Sequence, residues 1–363
     1  MLMLLITLFS AFFLLLVFDI FNLLRIESSS RHLILEKQRA KEKISAFVDL
    51  PEDQFSKDLE EFAFDAMNGK KNYLKAIDEY LLSTLENPGI RNRERLISVA
   101  RRLGFIDECV EQISDENRRV SAHGSRRAGL YNVKEAIDGM KSVLDKLYTE
   151  NQFEILMSLA RIGQAEPMQL AFDKIKQYII INERGIIEIL SVFPKGTEKE
   201  KLFRNMIHCD TAYITALFLK ALDREMARLL VQDIVSVLSS GEKEVRAAAV
   251  KALGSLGEEA PAEALVGALK DDSWEIRALA AKALSFAKDR ESGGALLGAL
   301  HDAQWWVRQN AANSLAGRED YREIFLEAAK SDDKYAIDSI IHALEKKGDT
   351  DTLKIFKETV ASK

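Results

Sequence analysis

The sequence predicts an all-α protein: an α-solenoid of helical hairpins with a period of 31 residues, behind a single N-terminal transmembrane helix. Three observations support this. The 363 residues include only 5 prolines and 18 glycines, and long stretches are rich in Ala, Leu, Glu, Lys and Arg, which favour helices. Apolar residues recur at spacings of three and four, and no alternating strand pattern competes with them. Residues 271–284, DDSWEIRALAAKAL, also return 31 positions later as DAQWWVRQNAANSL at 302–315. A repeating chain has no single core, so its length does not count its domains.

The opening MLMLLITLFSAFFLLLVFDIFNLL carries no charge before Asp19. A rise of about 1.5 Å per residue gives its first eighteen residues roughly 27 Å, enough to cross a bilayer. No basic residue precedes Arg25, so the positive start of a cleaved leader is missing and residues 1–24 read as an uncleaved transmembrane anchor. Arg25, Arg31, Lys37, Arg39, Lys41 and Lys43 follow the apolar run. That asymmetry predicts a single-pass protein of the cell membrane with its soluble part in the cytoplasm. Asp19 has two readings, a polar group near the inner interface, which its depth favours, or an intramembrane contact with a partner's helix.

Residues 25–89 read as a juxtamembrane helical segment. One helix is expected within RHLILEKQRAKEKISAFV, ending before Pro51. A second is expected in PEDQFSKDLEEFAFDAM, with Pro51 at the first turn, and a third in NYLKAIDEYLLSTL before the stop at 87–89, NPG. From residue 90 to 363 the chain reads as successive helix pairs. The period is blurred in LISVARRLGFIDECVEQI, NVKEAIDGMKSVLDKL and FEILMSLARIGQAEPMQLAFDKI, and clear over 211–345.

In the clear part, columns stand 31 residues apart: Ile214, Val245, Ile276 and Val307; Phe218, Ala249, Ala280 and Ala311; Leu222, Leu253, Leu284 and Leu315. Within each unit these are i, i+4 and i+8, one face of a helix. Ile234, Leu265 and Leu296, each followed four residues later by Leu238, Leu269 and Leu300, mark a second helix per unit. A lone amphipathic hairpin cannot bury its apolar face, whereas a stack can, and stacking requires the same residue types at each layer. Gly267 and Gly298 are expected to let neighbouring helices approach. The unit from Asp332 to Leu344 breaks the pattern, with Asp338 near the place of the arginine, as a terminal cap would.

The pairs Val245-Arg246, Ile276-Arg277 and Val307-Arg308, with Asp271 and Asp302 before the last two, carry a resemblance to the HEAT repeat family, most closely to the short HEAT-like repeats of the phycobiliprotein-lyase type. The resemblance implies an α-solenoid, and for each arginine in that column a pairing with an acidic side chain or helix-end carbonyl of the adjacent layer. It implies a class rather than an activity, because the family hosts scaffolds, adaptors and a few enzymes on one architecture.

Two groups of residues are candidates for binding. Arg246, Arg277 and Arg308 form a row along the repeats, and Trp274, Trp305 and Trp306 lie at the starts of their helices, where large rings either cover the junction between layers or anchor a partner. Arg91, Arg93, Arg95, Arg101, Arg102, Arg118 and Arg119, with Arg126 and Arg127, form an arginine-rich stretch against six acidic residues, suited to anionic lipid, an acidic partner or internal salt bridges. The 5 histidines are scattered, the 2 cysteines, Cys109 and Cys209, lie a hundred residues apart, and no P-loop, GxGxxG or GxSxG is present. No catalytic residue, metal or cofactor is therefore expected. The formal charge of −6 argues against a nucleic-acid binder.

The resulting expectation is a membrane-anchored scaffold or adaptor, not an enzyme, that binds a protein partner at the cytoplasmic face, for example a membrane-bound envelope or polysaccharide-synthesis enzyme. The alternative is an enzyme or nucleic-acid-acting protein on a HEAT scaffold, lyase-like or DNA-glycosylase-like.

Overall fold

Six of the described helices start after a short polar side chain that satisfies free N–H groups of the first turn. In the computed structural model, Asn117, Asn182, Asp223, Asp289, Asp333 and Asp349 each accept a backbone N–H from the helix they precede. The structure describes residues 34–68, 71–87, 89–144, 151–175 and 182–362, and among them every regular element is an α- or 3₁₀-helix. They form two compact units, one ending at Ile162 and the other beginning at Gly163.

The first unit contains α1 (residues 34–48), α2 (Glu52–Met67), α3 (Lys71–Leu85), α4 (Arg93–Arg102), α5 (Phe105–Ile113), α6 (Arg118–Leu130), α7 (Ile137–Leu144) and α8 (Asn151–Ile162). Phe47 stacks on Phe62 and tilts against Phe55, joining α1 to α2, while α3 packs on α4 and α6. Residues 34–85 thus share a unit with α4–α8. Helix α6 lies between α5 and α8, and two glycines permit this. A Cβ on Gly124 would stand 2.7 Å from the Gln112 Cβ and 2.9 Å from the Cys109 carbonyl, and one on Gly129 would stand 2.6 Å from the Ser158 Cα.

The second unit opens with α9 (Ala165–Ile175), α10 (Glu183–Ser191) and α11 (Thr197–Ile207). The hairpins follow: α12 (Ala212–Lys220) with α13 (Arg224–Leu229) and α14 (Val231–Ser236); α15 (Lys243–Gly254) with α16 (Ala262–Ala268); α17 (Trp274–Ala283) with α18 (Arg290–Ala299); α19 (Trp305–Ala316) with α20 (Tyr321–Ala328); and α21 (Lys334–Lys347) with α22 (Thr350–Ala361). Helices α12, α15, α17, α19 and α21 stack in a row, each on the next. The sequence columns form that core: Ile214, Val245, Ile276 and Val307 are buried, as are Phe218, Ala249, Ala280 and Ala311, and then Leu253, Leu284 and Leu315.

Two expectations are corrected. The glycines that admit close packing are not Gly267 and Gly298, whose missing Cβ atoms face open space; Gly254 has that role, with the Ala283 Cβ 2.9 Å from where its own would be. Single-pass localisation in the cell membrane is also withdrawn. The run 1–24 lies outside the described residues, and among those no helix is long and apolar enough to cross a membrane. The expected cytoplasmic orientation and membrane-enzyme partner lose their basis with it.

Candidate interaction surface on the C-terminal repeats

The arginine row is a ladder built by the 31-residue step. Arg246 donates from Nε and Nη2 to the two carboxylate oxygens of Asp271, at 2.7 and 3.0 Å, and Arg277 does the same to Asp302 at 2.7 and 3.1 Å. Each Nη1 reaches back to two carbonyls before its own helix: Ser240 and Gly241 for Arg246, Asp271 and Asp272 for Arg277. Asp271 and Asp302 also accept the N–H groups of Ser273 and Gln304, both at 2.8 Å. Bidentate, charge-assisted geometry makes these strong bonds. Burial alone would push both carboxyls up, but the arginine and backbone donors outweigh it and hold them below the usual range. The donor edges of Arg246 and Arg277 are thereby committed inside the fold.

The third member differs. Arg308 sends Nη1 to the Asp302 and Ala303 carbonyls at 2.7 and 3.0 Å, but its buried Nε has no hydrogen-bond partner and its guanidinium lies over the Tyr335 ring, 5.0 Å from the centroid. Exposed aromatic residues stand on the same helix, α19, and on the next in the stack, α21. Trp305 and Trp306 meet edge to face at 4.6 Å and are 47 % and 56 % exposed, and Tyr335 is 68 % exposed. Trp274, in the Trp305 column, is half-buried. The sequence offers Arg308 and the tryptophans as candidates but not Tyr335, because the repeat step changes just before it.

The arginine-rich stretch belongs to the first unit and is largely tied up there. Arg93 donates to the Leu85 and Leu130 carbonyls, Arg95 to Glu52 and to the Val48 and Leu50 carbonyls, and Arg102 to Glu60, while Arg101 lies 3.9 Å from Glu135. Arg91, Arg118 and Arg119 are exposed. Arg127 is buried, donating to Glu108 at 2.9 Å and Gln112 at 3.1 Å and pairing with Asp78, which also accepts the Tyr131 hydroxyl. Burial raises the Asp78 carboxyl despite Arg127 beside it, and pushes the Cys109 thiol up to about 12, so that thiol is inert near neutral pH.

Residues 231–316 match a family of HEAT repeats, which identifies the segment bearing the ladder. No curated protein matches the chain. Among solved structures, an engineered protein is similar at 16 % identity, over 84 % of this chain and 98 % of that one, with a TM-score of 0.34. The complex of CpcE and CpcF of the phycocyanin lyase from Nostoc is similar at 14 % identity, over 71 % of this chain and 94 % of that one, with a TM-score of 0.27.

Proposed function

We propose that this chain is a non-catalytic interaction scaffold whose HEAT repeats hold a protein partner at the start of α19. The observation that carries the reading is the Trp305–Trp306 pair. Two adjacent indoles, each about half exposed, stand on a helix held rigidly between its neighbours. Exposed aromatic side chains on a rigid support are favoured anchors for a protein surface, since they bury a large area and lose little conformational freedom. Side-chain bonds from Asn310 to the Ala278 carbonyl and from Ser314 to the Ala281 carbonyl fix α19 on α17, so the pair is presented without rearrangement.

The test is a photo-crosslinking amino acid placed in cells at position 306 and, as a control, at exposed Lys251 on α15. One protein captured at 306 and absent at 251 is the expected result. Capture of nothing, or of the same mixture at both positions, would overturn the reading.

A further inference from the structure

The partner's chemistry can be read from the point where the ladder stops, an inference that rests on the interaction reading above. The last repeat is two residues short: Val307, Ala311 and Leu315 are followed in the core by Ala336, Ile340 and Leu344, a step of 29 in place of 31. The position filled by Asp271 and Asp302 therefore falls on Ser331, not on Asp333. The hydrogen bonds confirm this register. The Ser331 hydroxyl accepts the Asp333 N–H at 3.2 Å, two residues on, as Asp271 accepts from Ser273 and Asp302 from Gln304. Asp333 is engaged elsewhere, accepting the Tyr335 and Ala336 N–H groups and pairing with His301 Nδ1 at 2.7 Å.

Arg308 thus completes the half of its rung that faces its own layer and lacks the carboxylate of the next. The residue is only 7 % exposed, and an Nε that finds no acceptor at such depth is costly. Its neighbours Arg246 and Arg277 show what that edge binds: one aspartate, with both oxygens engaged. Tyr335 occupies the same column as Trp306 one layer on, 29 residues later, so one exposed ring lies against Arg308 and a second stands in the layer before it. Tyr335 covers Arg308 with one face and is otherwise in solvent, so the ring can turn aside at small loss of packing.

We propose that Arg308 is an open rung that takes an aspartate or glutamate side chain of a protein partner, with an apolar residue next to that acid lying on Trp306. The partner's carboxylate would occupy the place that Asp302 occupies for Arg277. Complementary charge and a pre-formed bidentate geometry favour a carboxylate over a neutral group.

The experiment pans a random twelve-residue peptide library against the full chain and measures the selected peptides on four proteins: the unaltered chain, Ser331→Asp, Arg308→Gln and Trp306→Ala. In Ser331→Asp the chain's own carboxylate closes the rung. The expected result is a shared Asp or Glu beside an apolar residue, binding weaker by about tenfold or more when that acid becomes its amide, and a similar loss in Ser331→Asp and Arg308→Gln. Ser331→Asp should also melt higher than the unaltered chain. Should it fail to fold, Arg308→Gln carries the comparison. Peptides without an acid, or peptides that bind Arg308→Gln undiminished while losing Trp306→Ala, would overturn the open rung and leave the scaffold reading standing. A library that yields no peptide on the unaltered chain would overturn both.

Discussion

Arg127 in the first unit and Arg277 in the second are both held by carboxylates in helical hairpin architecture, yet they are opposite solutions. Arg127 is buried, meeting Asp78 of α3 and Glu108 of α5 in an arrangement that does not recur among the described residues. Arg277 sits at the edge of its layer, and its geometry copies that of Arg246 nearly atom for atom. A region without a repeat stabilises itself through singular contacts, each costly to lose. A repeating region spreads the same chemistry over many cheaper, interchangeable ones.

Removing one partner should expose that contrast most. Arg127→Ala removes a buried cation from the largely buried Asp78 carboxylate and empties the space its side chain fills, and is expected to cost about 3 kcal/mol in urea unfolding. Gly124→Ala should cost about 1–3 kcal/mol by forcing α5 and α6 apart. Arg277→Ala should cost about 1.5–3 kcal/mol, and Arg308→Ala only about 1 kcal/mol because no carboxylate is orphaned. Equal losses at 277 and 308 would show that the two rungs do not differ.

The smallest effect is a difference in sign with pH. Asp271 and Asp302 are held low in the folded state, so their stabilisation is complete above the ordinary unfolded value of about 4 and disappears as the pH falls through the lower folded values. Asp78 is held high, so its contribution is present below that same value and is lost as the pH rises through the folded one. Hydrogen exchange between pH 6 and 3, corrected for intrinsic rates, should therefore show protection falling in α17 while it is kept or increased in α6. Parallel behaviour in the two helices would contradict these assignments.

What could be read from the sequence follows the same division. The columns Val245, Ile276, Val307 and Ala249, Ala280, Ala311 were visible because stacking demands equal residues at equal steps, and they are the buried core. The matched residues 231–316 lie within that part. The shortened last step was hidden, since a 31-residue ruler lands on Asp333, an acid of the right type that caps its own helix and pairs with His301. The partners of the arginine-rich stretch were hidden for a different reason. Arg95 finds Glu52 and Arg127 finds Asp78 more than forty residues away in a region with no period to point to them. Gly254 was overlooked in favour of Gly267 and Gly298 because composition does not reveal which side of a helix meets a neighbour.

Asp271 takes part in two rungs at once: its carboxylate receives Arg246 while its carbonyl receives Arg277. Asp302 does the same for Arg277 and Arg308. Melting of any one interior layer therefore strips a ligand from the layers on both sides, which makes the middle of the array hard to open alone. The hairpin α21–α22 supplies no carboxylate to this relay. Under tension applied at the C-terminus it should be the first to peel away, as a separate small step in a force–extension trace, before the linked layers give way together.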